Sequence, residues 1–354
     1  MSKAFENARN FPSLKKNVDL SAYNTLGVSA FADTFIEIES ASELETLFED
    51  NFFESNQPFF LGGGSNILLK GNLKQPVLKI SIPGIDIVKE INSEVLVKVG
   101  AGVIWHDVVA WSVDHNFGGI ENLALIPGTT GAAPIQNIGA YGVEFDQIFE
   151  ELTAFDVDEG IFKRFKPEEC NFAYRDSIFK NEHKGKMIIT DVTMRLNKKP
   201  HQINIDYYAL SDYMKVNSIK NPGISDVFDA VVAIRTSKLP DPTLLGNAGS
   251  FFKNPIVDES VYNSLKGNYP DIPSYIIGDD EFKIPAGWLI EQAGWKGKRI
   301  GNVGTYKNQA LVIVNFGGAT GEEIYQHAIN IQKSVREKFG IDLKPEVNII
   351  GKHL

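Results

Sequence analysis

Three glycines and a Ser-Asn pair separate two apolar runs in Phe60-Leu61-Gly62-Gly63-Gly64-Ser65-Asn66-Ile67-Leu68-Leu69. A strand that ends in a turn without Cβ atoms can close its backbone N–H groups around an anion such as a phosphate. The plainer alternative is a tight turn with no ligand, and glycines alone favour it. The spacing is not the dinucleotide fingerprint G-x-G-x-x-G, and no Lys-Ser/Thr pair follows to make a Walker loop. A second small-residue loop runs Ile126-Pro127-Gly128-Thr129-Thr130-Gly131-Ala132-Ala133-Pro134-Ile135-Gln136-Asn137-Ile138-Gly139-Ala140-Tyr141-Gly142. It is long for a structureless connection, and such loops are functional or disordered. The interleaved Ile126, Ile135, Ile138 and Tyr141 argue against disorder. Two loops of this kind point to a large phosphorylated cofactor held from two sides.

Three further segments carry reactive groups. Phe172-Ala173-Tyr174-Arg175-Asp176-Ser177 sets an arginine between an aromatic residue and an acid. Arg175 could pair with Asp176 or lie in solvent; its functional use is a guanidinium fork that grips a carboxylate bidentately. Gly246-Asn247-Ala248-Gly249-Ser250-Phe251-Phe252-Lys253-Asn254-Pro255 presents a serine after a small-residue turn. No G-x-S-x-G surrounds Ser250 and no histidine is near it in sequence, so it lacks the setting of a hydrolase nucleophile. Ser250 either caps a loop or moves a proton. Lys344-Pro345-Glu346-Val347 holds a glutamate after a proline. Glu346 is a surface acid unless burial beside a ligand raises its pKa and makes it a proton donor.

The elements that position these groups follow from periodicity. A length of 354 residues suggests about two to three domains. Strands are predicted at Ala32–Glu39, Phe59–Leu61, Val77–Ile80, at the alternating Val95, Val97 and Val99, and at 152–156, 162–165, 187–196 and 311–315. Ser42 with Glu45 has capping-box spacing before a helix that puts Leu44, Leu47, Phe48 and Phe52 on one face and ends at Pro58. Trp105, Val108, Val109 and Val113 follow helical spacing, as does Val227–Ser237. Pro285 opens a helix that Gly294 ends. Thr320 and Glu323 cap a last helix with Ile324, Ala328, Ile331, Val335 and Phe339 inward and Gly340 at its end. Strands and helices in runs indicate α+β rather than a βαβ array.

Composition narrows the partners. Net charge is -10 with no basic run, which argues against nucleic acid as a general partner. One cysteine, Cys170, allows no internal disulfide and fits a reducing compartment. Met1–Leu14 has no apolar run of signal-peptide length, and no run is long enough to span a membrane. No Cys/His spacing matches a metal site; His106 and His115 are separated by the wrong offset for one helical face.

Together the Pro-Gly-x-x-Gly…Gln-Asn-Ile-Gly-Ala-Tyr-Gly and Gly-Asn-Ala-Gly-Ser-Phe-Phe-Lys-Asn-Pro strings resemble the UDP-N-acetylenolpyruvoylglucosamine reductase family. The resemblance runs from Asn24-Thr25-Leu26-Gly27 to Pro345-Glu346-Val347. It implies an α+β fold with an FAD-binding domain of the vanillyl-alcohol-oxidase (PCMH) type over 1–200, in two subdomains split near 72–84. A substrate-binding α+β domain over 201–325 would carry a tyrosine loop near 202–214, and residues 326–354 would return Glu346 to the active site. FAD contacts would come from Gly62, Gly63, Gly64, Ser65, Asn66, Pro127, Gly128, Gly131, Ile135, Gly139, Ala140 and Gly142. Arg175, Ser250 and Glu346 match the family's catalytic trio. Tyr174, Tyr207, Lys238, Asn254 and Gln309 match its substrate contacts. Two departures stand out. Asn348 occupies a position where many relatives carry Arg, and the segment Asp206-Tyr207-Tyr208-Ala209-Leu210 leaves Tyr208 as a second candidate for the closing tyrosine.

The activity the resemblance implies is reduction of a UDP-linked enolpyruvyl sugar to UDP-N-acetylmuramate in peptidoglycan precursor synthesis. NADPH reduces FAD and leaves; hydride then passes to the enol ether, and Ser250 supplies the proton. A cytoplasmic monomer acting on a UDP-sugar nucleotide, without nucleic acid, membrane or metal, completes the expectation. An FAD oxidoreductase of the same fold with another substrate, or a non-catalytic nucleotide binder, are the competing readings.

Overall fold

The computed structural model describes residues 11, 13–278 and 280–351; the positions 1–10 and 12 of the N-terminal stretch, and the tail 352–354, lie outside the described residues. By its contacts the chain forms two compact units. The first takes the chain up to Val18, Ala32–Gly63 and Leu73–Arg235; the second takes Asp19–Phe31, Gly64–Asn72 and the chain from Thr236. The boundary expected near residue 200 does not coincide with this division: residues 201–235 group with the first unit, and two short N-terminal segments group with the second.

The first unit contains two larger sheets. One has strands in the order Lys15–Asp19, Phe31–Ile38, Val77–Ile80, Phe59–Leu61, with the last three parallel in register Phe35↔Val77↔Phe59. The other is antiparallel, ordered Ile161–Phe165, Phe149–Asp156, Met187–Asn197, Glu94–Gly100, Ile85–Ile91. Val95, Val97 and Val99 are buried and alternate, as their spacing predicts. Each such side chain contributes about 1.5–3 kcal/mol when removed from water. The helix Trp105–Asp114 buries Trp105, Val108 and Val109, and the indole N–H donates to Leu123 O at 3.0 Å.

Several local expectations change. The capping box lies two residues early: Glu43 Oε2 accepts the Ser40 N–H at 3.1 Å and opens the helix Ala41–Glu49. The chain leaves the sheet after Ile38, whose carbonyl is taken by Ser81 N–H at 2.8 Å, so the cap falls at residue 40 rather than 42. That helix stops before Asn51, which takes φ 55, and Phe52 starts a separate turn of helix at Phe52–Ser55. The strand Ile85–Ile91 went unanticipated. A bulge between Ile87 and Lys89 breaks its alternation, and most of its residues are exposed. The expected tyrosine loop is irregular only to Tyr207, the N-cap of the helix Tyr208–Val216.

The second unit is built on an antiparallel sheet ordered Gly246–Ser250, Val312–Asn315, Val303–Thr305, Arg299–Ile300. A smaller sheet joins Ile256–Asp258, Glu281–Lys283 and Tyr275–Ile276, and Asn348–Ile350 runs parallel to Ile67–Leu69. The helix Gly321–Phe339 behaves as its sequence predicts. Thr320 Oγ1 accepts Glu323 N–H at 3.2 Å, Glu323 Oε2 accepts Thr320 N–H at 2.7 Å, and Gly340 closes the helix at φ 71. Ile324, Ala328, Ile331, Val335 and Phe339 are all buried. Pro285 is the N-cap of Ala286–Gln292. Glu259–Asn268 is a helix without a prior expectation, capped by Asp258 Oδ1 on Val261 N–H at 2.8 Å. No described helix is long and apolar enough to cross a membrane, and no group of three His, Cys, Asp or Glu among the described residues could hold a metal ion.

Candidate active site

In the first unit the two small-residue loops meet backbone against backbone. A Cβ on Gly63 would stand 2.8 Å from Gly128 Cα, and one on Gly62 would stand 2.9 Å from Thr129 Oγ1. Neither approach is open to any other residue without displacement. The second loop is held by backbone hydrogen bonds: Trp105 N–H donates to Gly128 O (3.0 Å), Thr130 N–H to Val103 O (2.8 Å) and Gly131 N–H to Ala101 O (2.9 Å). A Cβ on Gly131 would stand 2.6 Å from Ala101 Cβ, so this glycine serves close packing. Pro127 and Ile135 are exposed on the loop, and Ile135 O accepts Ser177 Oγ at 2.7 Å.

The loop ends in a two-strand hairpin, Gly139–Ala140 against Val143–Glu144, with Tyr141 at φ 50 and Gly142 at φ 83 as the turn. Positive φ at both turn residues fits the strand twist, but a tyrosine there is uncommon. Across from the hairpin, Ala173 and Asp176 pair through two backbone hydrogen bonds of 3.1 and 3.0 Å, leaving Tyr174 and Arg175 at the tip. Arg175 itself takes φ 56, and Lys180 Nζ holds its carbonyl at 3.0 Å. Strained backbone of this kind persists where surrounding contacts over-determine it, which is typical of functional sites. The guanidinium reaches Gly139 O at 2.8 Å through Nη2, while Asp176 turns to Ser177 N–H (3.1 Å) and Asn181 Nδ2 (2.9 Å). The neighbouring Tyr174 ring centroid lies 5.4 Å from the Arg175 Cζ.

Tyr207 meets this region edge-on, its ring 5.3 Å from that of Tyr141 at 83°. Tyr208 is 78% exposed, so of the two tyrosines it is Tyr207 that faces the hairpin. Asn122, buried, donates from Nδ2 to both Tyr141 O and Asn204 O at 3.0 Å, stapling the segment before Tyr207 to the hairpin turn. Arg235 joins the same cluster: Tyr141 hydrogen-bonds it, and its Nε is buried without a hydrogen-bond partner among the described residues. Burial lowers the Arg235 pKa, Tyr141 opposes that shift, and the Arg175 charge adds to it. Burial likewise raises the Tyr141 hydroxyl. Sequence reasoning missed Asn122, Tyr141, Asn204 and Arg235 as site residues. The one available signal was Arg235 as a cation in an otherwise apolar helical pattern.

The second unit gathers the other expected residues. Gly64 takes φ 63, and a Cβ there would fall 2.0 Å from Tyr23 O. Ser65 follows it half-buried, and Asn66 ties this turn to the C-terminus: its Nδ2 donates to Glu346 O (3.3 Å), and its O accepts Asn348 N–H (3.0 Å) and Nδ2 (3.2 Å). Asn348 thus bonds to the Asn66 carbonyl where many relatives are expected to carry an arginine. Glu346 N–H donates to Phe251 O at 2.8 Å, and Phe252 bridges Pro345, so Glu346 lies against the residues that follow Ser250. Ser250 ends its strand on a bulge: Asn247 pairs Val314 but Ser250 pairs Val312, with Gly249 at φ 66 between them. The buried Asn247 fixes that bulge, its Oδ1 taking Gly249 N–H at 3.0 Å and its Nδ2 donating to Pro240 O at 3.0 Å. A bulge re-aims the side chain it carries, here the Ser250 hydroxyl. Asn254 Oδ1 accepts Ala286 N–H at 2.9 Å, and Gln309 Oε1 accepts Leu311 N–H at 3.3 Å; Leu311 O in turn takes Phe251 N–H at 2.8 Å. Lys238 is the exposed last residue of the helix Ile224–Lys238. Each unit therefore brings its own share of the expected residues together: Gly62, Gly63, Gly128, Gly139, Arg175 and Tyr207 in the first, Asn66, Ser250, Asn254, Gln309 and Glu346 in the second.

Comparison with known proteins adds sequence and fold likeness. The family profile described as FAD binding domain matches residues 32–165, and that described as UDP-N-acetylenolpyruvoylglucosamine reductase, C-terminal domain, matches 241–350. The chain is 48% identical over 337 residues to a Flavobacterium johnsoniae protein named UDP-N-acetylenolpyruvoylglucosamine reductase, covering 95% of this chain and 99% of that one. A protein of the same name from Amoebophilus asiaticus is 47% identical over the same coverage. The solved UDP-N-acetylenolpyruvylglucosamine reductase of Thermus caldophilus shares the fold, with a TM-score of 0.68 at 23% identity over 96% of this chain and 100% of that chain.

Proposed function

The chain belongs to the UDP-N-acetylenolpyruvoylglucosamine reductase family of FAD-dependent oxidoreductases, and from that premise we propose that it reduces UDP-N-acetylglucosamine enolpyruvate to UDP-N-acetylmuramate with NADPH, for peptidoglycan precursor synthesis. The observation that carries the reading is Arg175: a guanidinium aimed by the Gly139 carbonyl from a backbone held at φ 56.

The residues present fit FAD. Gly62 and Gly63 let the first turn approach Gly128 and Thr129 more closely than any side chain would allow, and the loop of 127–142 is held by its hydrogen bonds to Ala101, Val103 and Trp105. In this reading Gly62–Asn66 and the loop hold the cofactor. The chemistry that bound FAD supplies is hydride relay, from NADPH to the terminal carbon of the enol ether.

Arg175 grips the enolpyruvyl carboxylate with its planar fork. As hydride adds to the terminal carbon, negative charge builds on the carbon beside the carboxylate and spreads into it, and the fixed guanidinium opposes that charge. An interaction that strengthens only as the charge develops raises the rate, whereas equal binding of substrate and transition state does not. Glu346, when protonated, donates a hydrogen bond to the same group. Ser250 delivers its hydroxyl proton to the carbon beside the carboxylate, completing the saturated lactyl ether. Tyr174, Tyr207, Lys238, Asn254 and Gln309 contact the sugar nucleotide. The enzyme acts as a cytoplasmic monomer.

An anaerobic titration tests this. NADPH bleaches the yellow holoprotein, and one equivalent of UDP-N-acetylglucosamine enolpyruvate restores the colour. Protein that takes up no FAD, or that bleaches with NADPH and stays bleached when the enolpyruvyl nucleotide is added, rules the function out.

A further inference from the structure

Asn137 is fully buried at φ 41, and no role in the chemistry attaches to it. Its side chain makes three hydrogen bonds. Nδ2 donates to Glu144 Oε2 and to Ala173 O, both at 3.3 Å, and Oδ1 accepts the Asp146 N–H at 3.0 Å. Its carbonyl accepts Arg175 Nη1 at 3.5 Å. One residue therefore touches the hairpin strand of Glu144, the turn that bears Arg175 and the guanidinium itself. Gly139, two residues on, supplies the shorter carbonyl contact to Nη2 at 2.8 Å. A Cβ on Gly139 would stand 2.9 Å from Glu144 Cγ and 3.2 Å from Arg175 Nη1, so Glu144 and the guanidinium flank one point on the hairpin.

We propose that Asn137 is a positioning residue for Arg175: it locks the hairpin carbonyls and Glu144 in place so that the guanidinium holds a single direction. The inference rests on the reading of Arg175 given above. A left-handed backbone alone would be met by glycine at no steric cost. What glycine cannot supply is the link from the hairpin to Ala173 O at the base of the Arg175 turn. A guanidinium fork exerts its selectivity through direction, and loss of that link lets it swing without changing its charge. Asn137 itself touches no substrate in this scheme.

The test uses holoenzyme of Asn137→Gly and Asn137→Asp beside Arg175→Lys. Glycine keeps the backbone conformation and removes all three side-chain bonds. Aspartate keeps the acceptor for Asp146 N–H and loses both donations. Two ligands are titrated: UDP-N-acetylglucosamine enolpyruvate, and UDP-N-acetylglucosamine, which lacks the carboxylate. The expected result is about a tenfold or greater loss of affinity for the enolpyruvyl nucleotide, with UDP-N-acetylglucosamine binding unchanged. NADPH still bleaches the FAD-loaded variants, and the rate of reoxidation by the enolpyruvyl nucleotide relative to bleaching falls by about 10–100-fold, since small misplacement of a positioned group costs on that scale. Equal affinity losses for both nucleotides, or normal reoxidation with only a lower melting temperature, overturn the positioning role while leaving Arg175 in place. Normal reoxidation by Arg175→Lys removes Arg175 from the chemistry and Asn137 with it.

Discussion

Gly63→Ala is the most direct probe of the paired loops. The added methyl would lie 2.8 Å from Gly128 Cα, 3.2 Å from Gly128 C and 3.4 Å from Thr129 N. Unstrained carbon contacts lie near 3.5–4.0 Å, so the loops must part by roughly 0.7–1.2 Å. The obstacle is backbone on a loop fixed to residues 101–105, and no flexible side-chain end is available to move aside. Overpacking of this kind costs about 1–3 kcal/mol, offset by roughly 0.4–1 kcal/mol from the stiffer unfolded chain. The net loss of stability is then about 1–2 kcal/mol. A cofactor held by both loops feels the same displacement, and tolerance at such sites is about 0.5 Å. FAD affinity is expected to fall by roughly 10–100-fold, equivalent to about 1.4–2.7 kcal/mol. Quenching of flavin fluorescence on titration with apoprotein reads the affinity, and thermal unfolding without FAD reads the stability. Gly267→Ala is the matched control: Gly267 lies in the helix Glu259–Asn268 with open space where its Cβ would be, and the change should stabilise by about 1 kcal/mol. A Gly63→Ala protein that binds FAD as tightly as wild type would refute the idea that the cofactor sits against this pair of loops.

Other changes separate the roles of single groups. Ser250→Ala should leave reduction by NADPH within about twofold and slow reoxidation by the enolpyruvyl nucleotide by about 10²–10⁴-fold, the usual scale for a proton-transfer group; stopped-flow absorbance resolves the two steps, and equal losses in both would remove Ser250 as proton donor. Arg175→Lys keeps the charge but not the fork, and its reoxidation rate should drop by at least about tenfold in the same experiment. His327 gives a pH signature. It is buried against Trp295, its Nε2 is 3.0 Å from Thr305 Oγ1, and burial, with the Lys298 charge adding, pushes its pKa down to about 4. The folded pKa is below the usual value near 6.5, so the unfolded chain takes the proton first as pH falls. The stability that the neutral ring contributes is complete above pH 6.5 and is lost between there and about pH 4, to a total of about 3 kcal/mol. Urea titrations from pH 7.5 to 4.5 should show a steeper loss for wild type than for His327→Gln; parallel curves would contradict the assignment.

The sequence exposes structure wherever the determining signal is local. The helix Gly321–Phe339 is legible in full because its capping pair, its inward face and its terminal glycine all lie within its own span. Ile85–Ile91 is not, because a bulge set by its neighbour Glu94–Gly100 destroys the period-two pattern. Tyr208–Val216 is hidden for another reason. Its start is fixed by Tyr207, whose segment is held through Asn122, a residue more than 80 positions away. The site divides along the same line. Glycine-rich strings announce themselves, whereas the particular roles of Asn137, inside such a string, and of Arg235, a lone cation in an apolar helical pattern, come from contacts across the fold. The resemblance to a family supplied the roles of Arg175, Ser250 and Glu346; spacing alone left each of them open.

Cys170 closes the helix Pro167–Cys170 shortly before the turn of Arg175, buried, with its Sγ donating to Lys166 O at 3.3 Å. Burial, reinforced by Glu169 and Glu168, pushes its thiol up to about 12. At pH 8 about one molecule in ten thousand carries the reactive thiolate there, and reagents attack the thiolate alone. Since it is the chain's only sulfhydryl, a thiol dye has one target and is blocked from it while this stretch stays shut. Labelling kinetics therefore clock the opening of the segment next to Arg175 directly, in unaltered protein, with no engineered probe.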